Sequence, residues 1–258
     1  MNTLRRARPF LVTMAPLCGL VVWNEYAKAQ KRKPPPDVRF QVGSPDDLTA
    51  DGLRSGDMLF FRRRLSSLQP LAVALTAATR QLTGARFDGV GVVITDRLGV
   101  PWILELTYGG LRYRRYDERV LWSKSREILL VRLAFECDEQ HRRALERYAT
   151  MSTGRYVKEN VGNWTLGQMQ VELQGLVKFV CCRKLGKDPD AFMEDAVFSP
   201  AANLALVCLD RLGALDVRAM RAAGVNPRHF TVTDLAEQRV PLREGVAYGT
   251  RYVVRDSD

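Results

Sequence analysis

The residues able to do covalent chemistry in this chain are few. Five cysteines (Cys18, Cys137, Cys181, Cys182, Cys208) and two histidines (His141, His229) are its only thiols and imidazoles. Thiol catalysis needs a thiolate, and a thiolate needs a helix N-terminus, a nearby cation or a paired imidazole. Two pairings can be considered: Cys208 with His229 in the loop that follows, and Cys181 or Cys182 with His141. Cys208, however, lies two turns inside a helical run and shares its spacing with Leu204, Val207 and Leu212, which predicts a buried, inert thiol. Adjacent Cys181 and Cys182 form neither a CxxC redox pair nor half of a zinc site, and His141 sits in the charged run 138–143. The odd count and irregular spacing argue for reduced, buried thiols rather than a disulfide framework. No metal or cofactor is expected. Two carboxylates on successive strands, Asp88 and Glu105, could share acid–base work, but nothing in the sequence marks a cleft beside them.

The elements that must position these residues form two blocks. Ser55-Gly56-Asp57 is a turn from which Met58–Arg62 leaves as an apolar strand. Leu68–Leu82 has a helical pattern. Phe87–Ile94 is a buried strand with two glycines where neighbours must approach closely. Trp102–Leu106, Leu111–Tyr116 and Ile128–Leu133 complete a run of five short strands, read as an antiparallel meander. Helices follow over Glu139–Met151, Val171–Cys182 and Pro189–Val197. Ser199 and Pro200 then open a helix that Gly213 closes, and its first turn, Ala201-Ala202-Asn203, is chemically almost empty. Val217–Ala223 is a further helix, Thr231–Leu235 a capped helical turn, and Val253-Val254 a last short strand. Strands followed by helices predict an α+β fold. Residues 37–258 form one domain, preceded by a separate segment over residues 1–36.

That first segment carries much of the charge. It holds seven Lys/Arg against Glu25 alone, so +6 of the net +10 lies outside the domain. A nucleic-acid binder shows its basic stripe on the folded part. The runs Arg62–Arg64 and Arg112, Arg114, Arg115 read instead as solvated faces, and no nucleic-acid partner is expected. Residues 9–23 are free of charge and flanked by basic residues. Secretory signal, mitochondrial presequence and retained anchor all fit that pattern. The run is short of the roughly 20 residues of a full span, but Trp23 and Tyr26 suit an interface. Glu25 and Lys28 disfavour cleavage at Ala27-Lys28-Ala29. The segment is therefore read as a membrane anchor that meets lipid through residues 9–26, with Pro34-Pro35-Pro36 as a stiff spacer.

The order of the short motifs is familiar. Ser-Gly-Asp-Met-Leu-Phe-Phe (55–61), Phe-Asp-Gly-Val-Gly-Val-Val-Ile (87–94) and Ile-Leu-Glu-Leu-Thr-Tyr-Gly-Gly-Leu (103–111) come first. Gly154-Arg155-Tyr156, the helix Ala201–Gly213 and Asn226–Leu235 follow. Together these resemble the circularly permuted branch of the NlpC-type papain-like hydrolases, the YiiX-like proteins and their lecithin retinol acyltransferase relatives, over about residues 53–236. The resemblance implies a papain-like antiparallel sheet packed with helices. It also implies a cysteine at a helix start, a histidine on the second strand and an orienting polar group on the next. Carried over by position, the base falls on Asp88 and the orienting group on Glu105. The nucleophile falls on Ala201, or on Asn203 if the register moves by two. Neither side chain is a nucleophile, so the resemblance implies a pseudoenzyme. Its expected role is that of an accessory or assembly subunit of a membrane protein complex, meeting other subunits of that complex in the mitochondrial inner membrane. Two alternatives stay open: a membrane-anchored cysteine amidohydrolase or acyltransferase using Cys208, and a secreted or periplasmic cell-wall binding module cleaved near Ala29.

Overall fold

A computed structural model describes residues 39–68, 70–107, 110–135, 137–160, 166–186 and 197–256. The anchor expected over residues 9–26, the proline spacer and the helix expected from Pro189 lie outside the described residues. Among the described residues no helix is long and apolar enough to cross a membrane.

The chain enters through a short helix, α1 (Pro45–Asp51). Ser44 caps it by accepting from the Asp47 amide at 3.2 Å, proline takes the first turn, and two aspartates face the positive helix end. Gly56 then turns the chain at φ +104°, where a Cβ would lie 2.8 Å from the Phe135 ring. Asp57 fixes that turn, accepting from the Arg54 and Leu133 amides at 3.0 Å each. Strand β1 (Met58–Arg63), helix α2 (Pro70–Thr83) and strands β2 (Gly89–Thr95), β3 (Pro101–Thr107) and β4 (Gly110–Arg115) follow. Helix α3 (Tyr116–Leu121) precedes strand β5 (Ser125–Ala134). Helices α4 (Glu139–Asn160), α5 (Leu166–Phe179), α6 (Pro200–Arg211), α7 (Val217–Ala222) and α8 (Val232–Ala236) lead to a final strand, β6 (Ala247–Asp256).

The fold is α+β, with one antiparallel six-stranded sheet in the order β4-β3-β2-β1-β5-β6. This departs from the expected five-strand meander at β5. That strand crosses back to pair with β1 (Met58 opposite Val131), while β1 also pairs with β2 (Met58 opposite Val92). Two features explain the crossing. Residues 58–61 are buried on both faces, so β1 needs a neighbour at each edge. After β4 the chain lays Tyr116 and Val120 of α3 onto one face of the sheet, which carries it away from a hairpin. The last strand is also longer than Val253-Val254, at ten residues.

Alternation divides the sheet into two cores. Met58, Phe60, Val90, Val92, Leu104 and Val131 face α4 and α6, which cover them with Leu145, Ala205, Leu206, Cys208 and Leu209. Leu59, Phe61, Val93, Ile103, Ile128 and Leu130 face the other way, under Tyr116, Val120, Leu53 and Phe40. On the first face, α6 is started by Ser199, whose hydroxyl accepts from the Ala202 amide at 3.3 Å. Gly175 of α5 lets that helix meet the preceding chain: a Cβ there would lie 2.2 Å from the Val197 carbonyl oxygen. Helix α8 begins with a reciprocal capping box between Thr231 and Asp234, as its Thr-x-x-Asp spacing predicts.

Candidate functional site

Where α2, the start of α6, α8 and the β1–β2 edge converge, they enclose a cavity of about 40 Å³. Its lining includes Asp88 and Ala201, two positions singled out from the sequence, together with Ser199 just before α6. The wall is rich in hydroxyls, among them Thr79, Thr83 and Thr233, and the Thr233 Oγ1 is buried without a hydrogen-bond partner among the described residues. Apolar cover comes from Leu106, Leu176 and Phe198. A space of this size accommodates ordered water and is too small for a lipid chain or a peptide.

Asp88 is held from two sides. Arg63 donates from Nε to Oδ1 at 2.7 Å and from its amide to Oδ2 at 3.2 Å, and its Nη2 reaches the Asp88 carbonyl at 2.8 Å. Arg80 of α2 pairs with Oδ2. The carboxylate is 3% exposed. Gly89 is part of this arrangement, because a Cβ there would lie 2.9 Å from Arg63 Nη2. A general base needs a free lone pair aimed at the proton it removes. Both oxygens of Asp88 are already accepting charge-assisted hydrogen bonds, so the group works as an ion-pair centre.

Ala201 brings its methyl group to the cavity from the first turn of α6, where the N-terminal amides would favour a thiolate had the residue been a cysteine. Asn203 follows within the same helix, half-buried, its amide donating to the Ser199 carbonyl at 2.9 Å.

Glu105 is not brought to this place. It stands opposite Gly91 and shares the parity of Ile103, which points it to the other face of the sheet. There Arg119 grips it with Nε–Oε1 at 2.6 Å and Nη2–Oε2 at 3.0 Å, and Arg114 adds a third contact. The Arg119 guanidinium lies over the Phe61 ring at 3.8 Å. Burial would raise the Glu105 pKa, but Arg119 and Arg114 outweigh it and hold the carboxyl at about 2. A whole sheet separates Glu105 from Asp88, so the two share no reaction centre.

The thiols are equally dispersed. Cys208 is wholly buried, and burial pushes its thiol up to about 12, with Arg211 opposing only weakly. His229 stacks on Phe198 at 4.7 Å and an interplanar angle of 9°, and its Nε2 lies 3.3 Å from Asn226 Nδ2. His141 pairs through Nδ1 with Asp138 at the start of α4. Cys181 and Cys182 are half-buried in a single π-type turn after α5. Among the described residues no group of His, Cys, Asp and Glu has the makings of a metal site.

Sequence reasoning missed what eight of the arginines do. Four buried carboxylates each take two of them: Asp88 takes Arg63 and Arg80, Glu105 takes Arg114 and Arg119, Glu127 takes Arg62 and Arg86, and Asp234 takes Arg183 and Arg239. The runs 62–64 and 112–115 are therefore not simple solvated faces. Arg62, Arg63, Arg114 and Arg115 all turn to carboxylates, the last to Asp117 at 2.7 Å. The arginine runs themselves were visible in the sequence, but their carboxylate partners lie on other elements and are found only through the register and packing. Comparison of the chain with protein-family models finds no match, and comparison with curated proteins finds none either.

Proposed function

We propose that this domain is a non-catalytic, papain-like module that works through its outer surface. Its role would be that of an accessory or assembly subunit of a membrane protein complex, tethered through residues 9–26 at the mitochondrial inner membrane. The observation that carries the reading is the cavity at the head of α6, where a methyl group (Ala201) meets a carboxylate already consumed by Arg63 and Arg80. A papain-type step needs a thiol there and an imidazole free to take its proton. The packing instead devotes the place to a buried ion pair, which supports the fold and performs no proton transfer. The buried Cys208 thiol, two turns along the same helix, is in no position to substitute.

The test uses the full chain in its native membranes. Extraction with alkaline carbonate should leave the protein in the pellet, and mild detergent should release it as part of a larger assembly on a native gel. The Asp88→Asn variant should join that assembly as the parent does, provided it is folded. Release by carbonate, or migration as a lone chain, would overturn the reading. So would labelling by a thiol-directed activity probe that is abolished by Cys208→Ala.

A further inference from the structure

Outside this cavity lies a second concavity of different character. It is an open groove of about 510 Å³ between the first turn of α4, the end of α6, α7 and the loop before β6. We propose that this groove binds a phosphate-bearing small molecule, independently of the reading above.

Three arginines border it: Arg218 and Arg221 from α7 and Arg243 from the following loop. Most of the chain's buried acids have arginine pairs, yet these three guanidinia have no carboxylate within salt-bridge distance among the described residues. Two acids border the same groove. Asp216 is engaged by the α7 N-terminus, accepting from the Ala219 amide at 2.8 Å, and Asp210 lies at the end of α6. Neither lies within salt-bridge distance of these arginines among the described residues, and three arginines against two aspartates leave the lining one positive charge in excess. The floor is made by Gly213 at φ +75°, and the atoms nearest to a Cβ built there are His141 Nε2 at 3.8 Å and Arg243 Nη1 at 3.9 Å. The imidazole and the guanidinium thus flank an open backbone position. Asp138 takes His141 Nδ1, which fixes the ring and turns Nε2 toward the groove. Planar guanidinia without a carboxylate partner among the described residues suit the several oxygens of a phosphate group, the neighbouring Nε2 can accept from a ligand hydroxyl, and the volume suits a small molecule. The same chemistry is offered by a soluble phosphomonoester and by a phosphate headgroup at a membrane.

The full chain, solubilised in a zwitterionic detergent, is titrated with glycerol 3-phosphate by calorimetry. In parallel the full chain is tested for sedimentation with phosphatidylcholine vesicles containing or lacking phosphatidic acid, the increment on adding phosphatidic acid being the readout. Saturable binding of glycerol 3-phosphate that weakens about tenfold or more in Arg221→Gln/Arg243→Gln, and is unchanged in the β6 control Arg251→Gln, supports a soluble ligand. An increment with phosphatidic acid that is lost in the double variant, without binding of glycerol 3-phosphate, assigns the groove to a headgroup. Failure of both probes, or binding equal in parent and double variant, overturns the proposal. All of these arginines are exposed, and matching thermal melts would show that the variants remain folded.

Discussion

The two faces of the central sheet solve the same electrostatic problem differently. Asp88 on the face of α6 and Glu105 on the face of α3 are each buried between two arginines. Glu105 is gripped in two-pronged fashion by an arginine laid on an aromatic ring: Arg119 is 10% exposed, while its second partner, Arg114, reaches in from the surface at 36%. Asp88 shares its environment with a cavity, and its arginines are 17% and 20% exposed. The two carboxylates are equally buried; Glu105 has Arg119 packed between it and the Phe61 ring, whereas Asp88 borders space that water can enter. The difference teaches that a cleft and an ionisable group in contact do not by themselves make a reaction centre. Beside the cavity, both oxygens of Asp88 are taken up by Arg63 and Arg80.

The sharpest way to break this comparison is to remove each acid in turn. Glu105→Gln leaves Arg119 buried with one charged partner lost, and should cost about 3–5 kcal/mol in chemical denaturation. It should also change the acid limb of stability. The folded Glu105 carboxyl stands at about 2 against an ordinary 4.5. Its contribution is therefore present above the ordinary value and is lost as pH falls from there toward about 2. A plot of stability against pH should be visibly flatter over that window in Glu105→Gln than in the parent. An unchanged slope would mean that other acids set the limb.

Asp88→Asn should cost less, about 2 kcal/mol, because cavity water can reach the released guanidinia and the amide oxygen can keep one hydrogen bond. If the two substitutions prove equally costly, the cavity gives Asp88 no relief and the distinction between the faces fails. Arg80→Gln, which leaves Arg63 in place on the same carboxylate, should fall below both, at about 1 kcal/mol.

Much of this architecture was legible because it rests on period and punctuation. Met58–Phe61, Val90–Ile94 and Ile103–Leu104 are apolar runs bounded by turns, and Ser199-Pro200 with Gly213 brackets α6. Helix α1 carried an equally plain signal in Ser44-Pro45-Asp46-Asp47, but its lack of buried residues leaves no apolar stripe to notice. Strand β6 was legible only at Val253-Val254, because Gly249, Thr250 and Arg251 interrupt any alternation and β5 pairing supplies the rest. The candidate site was legible in part. Chain order points to Asp88 and Ala201, and packing brings both to one cavity. Glu105 shows the limit. Strand order places it next to Asp88, whereas the pleat sends it through the sheet, and a slip of one residue is enough to change the face. The arginine partners were illegible for the same reason, since pairs such as Arg183 with Asp234 depend on tertiary approach across distant segments.

The gentlest substitution sharpens the comparison further. Ala201→Cys adds one sulfur atom beside a cavity of about 40 Å³ and should change stability by no more than about 1 kcal/mol. The new thiol would stand in the first turn of α6, where the helix amides lower its pKa, so slow alkylation by iodoacetamide is expected. Turnover of peptide anilides is not. Deacylation and leaving-group protonation both require a group that gives and takes a proton, and Asp88 is committed to Arg63 and Arg80. Adding Asp88→His does not repair this, because the imidazole would then face two guanidinia and lose the protonated form that must pair with a thiolate. An anilidase activity in the single variant above that of the parent would show that the ion pair opens on the timescale of catalysis. Its absence in the single variant, with that variant's thiol alkylated, would show that a reactive thiol at the head of α6 does not by itself give turnover beside a committed Asp88 and a cavity of this size.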